Sequence, residues 1–310
     1  MAAESLFLFN DMIQSTASTG PGACFLLIDA LGLAYRSYYA IRDLTGPGGQ
    51  PTNAAYGFLR TVQMFIERFS PGHIGVVFDA GIPEVRTAIL PEYKAQRPPM
   101  PDGLRQQLPV IESLAEAFGW KTASLPGWEA DDVIATLAKK AIDLGSEVLI
   151  MTADKDILQL VCKKVSVVGF GKTDPPLGAD GVQTKLGVRP EQVVDYLALL
   201  GDQADNIAGV PGVGKKTACQ LIEKYGDIEG IIENLDQVHP PRIRSALECA
   251  TGRLQENRAL IALHTDLDLP WSLSEFRLGP PPDWDHLVRE LRTQGFEKMA
   301  SALPRQGELF

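Results

Sequence analysis

Three apolar segments of this 310-residue chain each run into an aspartate: Phe25-Leu26-Leu27-Ile28-Asp29, Ile74-Gly75-Val76-Val77-Phe78-Asp79 and Val148-Leu149-Ile150-Met151-Thr152-Ala153-Asp154. Where strands lie parallel, their carboxyl ends line one edge of the sheet, and ligands bind at that edge. Carboxylates gathered there repel one another unless cations lie between them. Two further acidic clusters, Glu129-Ala130-Asp131-Asp132 and Asp202-Gln203-Ala204-Asp205, lie between and after these segments. The pattern is a carboxylate cage for divalent metal, and hard oxygen donors without cysteine suit Mg²⁺. None of the four histidines (His73, His239, His264, His286) falls in a motif, and none is assigned a catalytic role.

The elements that must position these acids are legible from periodicity. A helix is predicted from about Asn53 to Phe69, with Phe58, Val62, Phe65 and Ile66 on one buried face. Others are predicted from about Leu104 to Phe118, from Glu129 with Val133, Ile134, Leu137 and Ala141 inward, and from Asp156; Val165 to Val168 forms a further strand. This alternation predicts an α/β fold, a mostly parallel central sheet with helices on both faces. From about Arg189 the pattern is helical, with helices at Glu191 to Leu200 and Lys215 to Tyr225. Between them Gly209-Val210-Pro211-Gly212-Val213-Gly214-Lys215-Lys216-Thr217-Ala218 is either a phosphate-approaching turn or a plain helix–helix connection. The proline-rich stretch at about 81–103 interleaves Arg86, Tyr93, Lys94 and Arg97. It is either a mobile basic clamp beside the cage or a solvated loop.

Bulk properties narrow the classes. The four cysteines are scattered without a CxxC pair, which argues against a zinc site or disulfide frame and for free thiols. No apolar run approaches the roughly 20 residues of a membrane span. Residues 1–22 lack the basic start of a secretory signal, so a flexible N-terminal extension and a cytoplasmic protein are expected. The net charge of −10 is concentrated in the acidic clusters, which bound metal would partly neutralise. A nucleic-acid partner is therefore not excluded.

In order along the chain, Leu27-Ile28-Asp29, Phe78-Asp79, Tyr93-Lys94 with Arg97, Glu129-Ala130-Asp131-Asp132, Thr152-Ala153-Asp154-Lys155-Asp156, Gly201-Asp202-Gln203-Ala204-Asp205-Asn206 and Gly209 through Ala218 resemble the 5′-nuclease (flap endonuclease) family. The likeness is greatest to the N-terminal 5′-nuclease domain of bacterial DNA polymerase I, and it covers roughly residues 24 to 300. It implies a structure-specific 5′-3′ exonuclease and flap endonuclease using two Mg²⁺, with Mn²⁺ able to substitute. Asp29, Asp79, Glu129, Asp131 and Asp132 match the acids of the first metal, and Asp154, Asp156, Asp202 and Asp205 those of the second. Lys94 and Arg97 match the catalytic basic pair of the arch. Tyr35 matches a base-stacking aromatic, and Arg36, Arg86 and Tyr93 are further substrate-binding candidates. Gly209, Gly212, Gly214, Lys215, Lys216 and Thr217 match the helix-three-turn-helix that grips duplex backbone, usually with a monovalent cation such as K⁺. The chain departs from the family in having Ala30 after the first aspartate, where glycine is usual, and Lys215 where an acid is frequent.

The resemblance implies a nuclease core at 23–188 with its arch at about 81–103. A helical DNA-binding subdomain at 189–300 would carry the helix-three-turn-helix at about 201–225, and 301–310 would be a C-terminal tail. The implied partners are flapped, nicked or 5′-ended duplex DNA and RNA–DNA primers, in replication and repair, for a free-standing monomer. Within the tail, Gln306, Leu309 and Phe310 resemble the short peptides that dock on the bacterial sliding clamp; a frayed terminus is the alternative. Three rivals are weaker. An endoribonuclease of the PIN type would lack the Gly209–Ala218 turn, a decayed scaffold would lack acids, and an aspartyl phosphatase would explain a single Asp-ended strand.

Overall fold

In the computed structural model, which describes residues 24–303, successive side chains of the central strand enter two different cores. β1 (Cys24–Asp29) sends Phe25 and Leu27 to one face and Leu26 and Ile28 to the other, as the two-residue period of a strand dictates. β2 (His73–Val77) and β4 (Glu147–Met151) flank it, with β3 (Lys121–Ala123) and β5 (Val165–Val168) outermost. The order is β3-β2-β1-β4-β5 and every pairing is parallel. Chain order runs outward from β1 in both directions, so Asp29 stands at the point where the strand order reverses and a crevice opens.

Helices cover both faces. One core runs from Phe25, Leu27 and Ile150 through Val133 and Leu137 to Leu197, Ile222 and Leu247 of the helical C-terminal part. The other joins Leu26 and Ile28 to Phe58, Val62, Phe65 and Ile66, and receives Leu287, Leu291 and Phe296 from the returning chain end. The helix Asn53–Phe69 occupies its expected span. Its first amides, on Ala54 and Ala55, donate to the buried Gln107 side chain at 2.8 and 3.1 Å, which satisfies donors that a helix start leaves open.

Three expected helices are shorter or tighter. The one at Leu104 to Phe118 is split into Asp102–Arg105 and Leu108–Ala117, because Pro109 has no N–H to continue the ladder. The segment after β4 is a 3₁₀ turn, Asp156–Leu160. Pro190–Gln192 is likewise 3₁₀ and leads into the helix Val193–Leu200.

Arg86 ties the arch to this frame. It lies on the short helix Glu84–Ile89 and is 1% exposed. Its guanidinium takes Asp132 in a fork at 2.6 and 2.8 Å, Glu129 at 2.7 Å and the Leu260 carbonyl at 3.0 Å. Arg86, expected to contact substrate, is enclosed among these partners, and Asp132, expected among the first metal's acids, is fully buried with its oxygens taken by Arg86 and by the His264 amide at 2.9 Å. Burial of these charges requires their pairing, so the trio joins arch, acidic helix and C-terminal part. Arg86→Ala leaves two buried acids short of a partner and is expected to destabilise the fold by about 3–5 kcal/mol; urea unfolding reads this directly, and an unchanged midpoint would contradict it.

Candidate metal centre

Each acid at the sheet edge is held by its local backbone. Asp29 ends β1 and caps the helix Ala30–Ala40, accepting from the Gly32 amide at 2.8 Å and the Thr152 hydroxyl at 2.9 Å. Ala30 is the first residue of that helix, where a side chain is tolerated. Asp79 lies just beyond β2 and accepts from the Ala130 amide at 3.1 Å, so it reaches the start of the helix Ala130–Asp143. Asp131 lies in the first turn of that helix. After β4, Asp154 accepts from the Asp156 amide at 2.9 Å. Asp202 and Asp205 come from a short hairpin; with Asp156 they place three carboxylates within 4.8 Å of one another.

The charge of Asp154 acts on acids on both sides of it. Burial, then the charges of Asp79 and Asp154, pushes Asp29 up to about 6 despite its hydrogen bonds. Burial, then Asp154, Asp29 and Asp79, raises Asp131 well above the usual carboxylate range. On the other side, burial and then Asp154 push Asp156 up to about 8, with Asp202 and Asp205 adding to the rise. Asp156 Oδ1 is moreover buried without a hydrogen-bond partner. Such an atom calls for a cation or an ordered water. Lys155 offsets part of this charge, its Nζ 3.0 Å from Asp202.

The arch lies against this edge. Lys94 Nζ sits 2.5 Å from Glu129 and 4.0 Å from Asp205, and Arg97 Nη2 sits 2.5 Å from Asp205. The buried Tyr93 hydroxyl donates toward Asp205 Oδ2 at 3.2 Å. Backbone contacts reinforce these: the Lys94 amide donates to the Asp205 carbonyl at 3.2 Å, and Asn206 Nδ2 to the Glu92 carbonyl at 3.1 Å. Lys94 and Asn206 both adopt left-handed backbone, φ +58° and +62°, a cost that the surrounding contacts must hold in place. Glu129, expected among the first metal's acids, accepts hydrogen bonds from Lys94, Arg86 and Tyr93. A cleft of about 860 Å³ opens between Gln96-Arg97-Pro98 and the Leu200–Gly209 segment.

The remaining candidates fall at two other places. Gly209, Gly212 and Gly214 form the turn before the helix Lys215–Tyr225; Gly212 has φ +82°, and Lys215 and Lys216 are exposed. Tyr35 and Arg36 lie on the helix Ala30–Ala40, Arg36 exposed and Tyr35 half-buried and stacked 6.5 Å from Tyr39. Tyr39 is 66% exposed and one helical turn from Tyr35; the i,i+4 spacing is a signal that could have drawn it into the aromatic face. Thr152 and Lys155 stand inside a recognised motif, yet only the structure gives them partners. The tail residues Gln306, Leu309 and Phe310 lie outside the described residues, as does the extension at 1–22.

A parallel sheet that gathers carboxylates at one edge, followed by a helical module with a glycine-rich turn, defines a metal-dependent nuclease. The family model for the 5′-3′ exonuclease N-terminal resolvase-like domain matches residues 24–187, and that for the 5′-3′ exonuclease C-terminal SAM fold matches 188–283. The chain is 40% identical over 266 residues to the 5′-3′ exonuclease of Aquifex aeolicus, covering 86% of this chain and 90% of that one. It is 39% identical over 268 residues to the thermostable DNA polymerase I of Thermus thermophilus, but spans only 31% of that longer protein. Its fold matches bacteriophage T5 D15 flap endonuclease in a pseudo-enzyme–product complex with DNA and metal ions (TM-score 0.65, 24% identity, 90% and 96% of the two chains). It also matches the catalytic core of Rad2 in complex with DNA substrate (TM-score 0.62, 18% identity, 93% of each). The chain belongs to the 5′-3′ exonuclease family.

Two predictions follow from this electrostatic arrangement. Carboxyls raised in the folded state bind protons more tightly than in the unfolded chain, so in EDTA the stability falls as pH rises from about 4, through the ranges of Asp29 and Asp156, to about 8. Thermal melts are expected to show a divalent-ion stabilisation that is small at pH 5 and large at pH 8; equal shifts at both would contradict the arrangement. Asp205→Asn weakens the grip on Tyr93, Lys94 and Arg97, and trypsin is expected to cut after Lys94 several-fold faster than in the parent.

Proposed function

We propose that this chain is a structure-specific 5′-3′ exonuclease and flap endonuclease that hydrolyses DNA phosphodiesters with two divalent ions, Mg²⁺ by preference and Mn²⁺ in substitution. The observation that carries the reading is the set of carboxylates at the sheet edge, Asp156, Asp202 and Asp205 within 4.8 Å of one another, with Asp205 paired to the arch cation Arg97. The residues present fit such ions. They are hard oxygen donors, three of them within 4.8 Å of one another, with one buried oxygen lacking any partner. Asp29, Asp79, Asp131 and Asp154 would hold one ion; Asp154, Asp156, Asp202 and Asp205 would hold the other. Bound there, divalent ions lower the pKa of a water and offset charge on the phosphate oxygens.

The chain's own side chains do the rest. Thr152 and the Gly32 amide keep Asp29 aimed, and Lys155 tempers the charge of Asp202. Lys94 and Arg97 are the donors for the scissile phosphate once they leave Glu129 and Asp205, and they stabilise the charge that develops in the transition state. The products are a 5′-phosphate and a 3′-hydroxyl. Tyr35, with Tyr39 beside it, stacks on a terminal base, and Arg36 steers the strand. Backbone amides of Gly209, Gly212 and Gly214, with Lys215, Lys216 and Thr217, hold duplex phosphates around a K⁺. Phosphate contacts position a duplex without reading its sequence, so structure selects the substrate: 5′ flaps, nicks and RNA-primed ends. Residues 23–188 would supply the chemistry and 189–300 the grip. The chain would act as a cytoplasmic monomer in primer removal and repair, with Gln306, Leu309 and Phe310 docking on the sliding clamp. Among the described residues no helix is long and apolar enough to cross a membrane.

The test is cleavage of a 5′-labelled flap duplex in Mg²⁺ and in EDTA, beside a blunt duplex and a single strand. Cutting near the flap junction in Mg²⁺ alone is expected. Asp154→Asn should abolish it, and Asp154→Asn cutting at the parental rate would overturn the reading. Lys94→Ala is expected to lower the rate by about 10²–10³-fold while flap binding without metal is kept. Removing Gln306 to Phe310 should abolish clamp capture and leave the nuclease rate unchanged.

A further inference from the structure

Asp202 and Asp205 are carried by a very short hairpin. β6 (Gly201–Asp202) pairs antiparallel with β7 (Ile207–Ala208), Gly201 opposite Ala208 and Asp202 opposite Ile207. A two-stranded ribbon of this size is not stable by itself, so the position of both acids depends on what grips its base. Part of the grip is close backbone contact: Gly201 has φ +72°, and a Cβ on Gly209 would fall 2.1 Å from the Leu200 carbonyl oxygen. The rest comes from far along the chain. Asn257, on the helix Pro241–Ile261, is 3% exposed. Its Nδ2 donates to the Ala198 carbonyl and to the Ala208 carbonyl, each at 2.9 Å. One turn earlier, Arg253 Nη2 donates to the Gly209 carbonyl at 3.2 Å.

The two hydrogens of one carboxamide thus tie the helix that enters the hairpin to the strand that leaves it. Ala198 lies in the last turn of Val193–Leu200, where carbonyls lack helical partners. A leucine of similar size at 257 would leave both carbonyls short of a donor, and buried polar groups without partners are costly. An aspartate would set acceptors against acceptors. Asp29, Asp79 and Asp131 do not depend on this brace, since they are set by β1, β2 and the helix Ala130–Asp143.

We propose that Asn257 is a positioning residue for the second ion: by bridging Ala198 and Ala208 it fixes the hairpin that brings Asp202 and Asp205 to Asp156. Arg253 extends the same brace to Gly209, the first residue of the glycine-rich turn. The proposal rests on the two-ion reading above. Asn257 is buried with both carboxamide hydrogens on these carbonyls, so its loss acts through the hairpin on affinity for one ion. Partners that orient metal ligands are typically worth about 10- to 100-fold in affinity, and a loss in that range is expected.

The experiment is titration of the full chain with Mn²⁺, counting bound ions and their affinities by electron paramagnetic resonance. The parent is compared with Asn257→Leu, Asn257→Ser, Asp202→Asn and Leu254→Ala. Leu254 is a buried apolar neighbour on the same helix, and its truncation lowers thermal stability without touching the brace. Both Asn257 variants are expected to weaken one ion about tenfold or more, the same ion that Asp202→Asn loses, while the other keeps its parental affinity. Leu254→Ala is expected to keep both affinities. Parental affinities in the Asn257 variants overturn the proposal, as does an equal weakening of both ions in step with lowered melting temperature in Leu254→Ala. A parent that binds fewer than two ions overturns the two-ion reading itself, which distinguishes that failure from failure of the brace.

Discussion

Repulsion among carboxylates at the carboxyl edge of the sheet is the constraint on which the rest of this structure depends. Burial and neighbouring charge hold Asp29, Asp131 and Asp156 above their ordinary range, so the fold carries them at the expense of its own stability near neutral pH. Each is nonetheless fixed by local backbone: a strand end that doubles as a helix cap, a first helical turn, a loop whose amide bonds the preceding acid. The apolar two-faced sheet supplies the stability that lets this edge persist. Strong electrostatic cost concentrated at one place is the mark of a functional site.

The same charge organises the arch. Three of its side chains, Arg86, Lys94 and Arg97, end on acids, but they do so differently. Arg86 is sealed in and pairs with Asp132 as part of the frame, whereas Arg97 is 45% exposed along its side chain and meets Asp205 at the rim. The Arg97 guanidinium keeps an open side while its acid is buried, whereas Arg86 is enclosed on every side. Two arginines eleven residues apart thus differ in setting, Arg86 sealed into the frame and Arg97 open on one side.

Much of this is legible in the sequence, and the limits are physical. The spans of Asn53–Phe69 and Lys215–Tyr225 follow from strong periodicity bounded by turn residues. The parallel sheet follows from apolar runs too continuous for a half-exposed strand. The acids Asp29, Asp79, Asp131, Asp154, Asp156, Asp202 and Asp205 stand in motifs, and the fold brings them to one edge. What the motifs do not separate is which acid faces the edge and which faces inward. Glu129, Asp131 and Asp132 lie in one short run, yet helical geometry turns Asp132 toward Arg86 and away from Asp131. Arg86 reads as a surface cation because its partners are 43 and 46 residues away. Asn257, 49 and 59 residues from the carbonyls it bridges, has no local signal at all.

The most direct test is a crystal structure of this protein soaked with Mn²⁺ and read by anomalous scattering. Two peaks roughly 4 Å apart are expected, one among Asp29, Asp79, Asp131 and Asp154 and one among Asp154, Asp156, Asp202 and Asp205. Asp132 should remain on Arg86 with no peak beside it. A cluster that takes up no ion, or a peak held by Asp132 in place of Asp131, would contradict the claim that this edge is built to bind divalent cations through the acids identified.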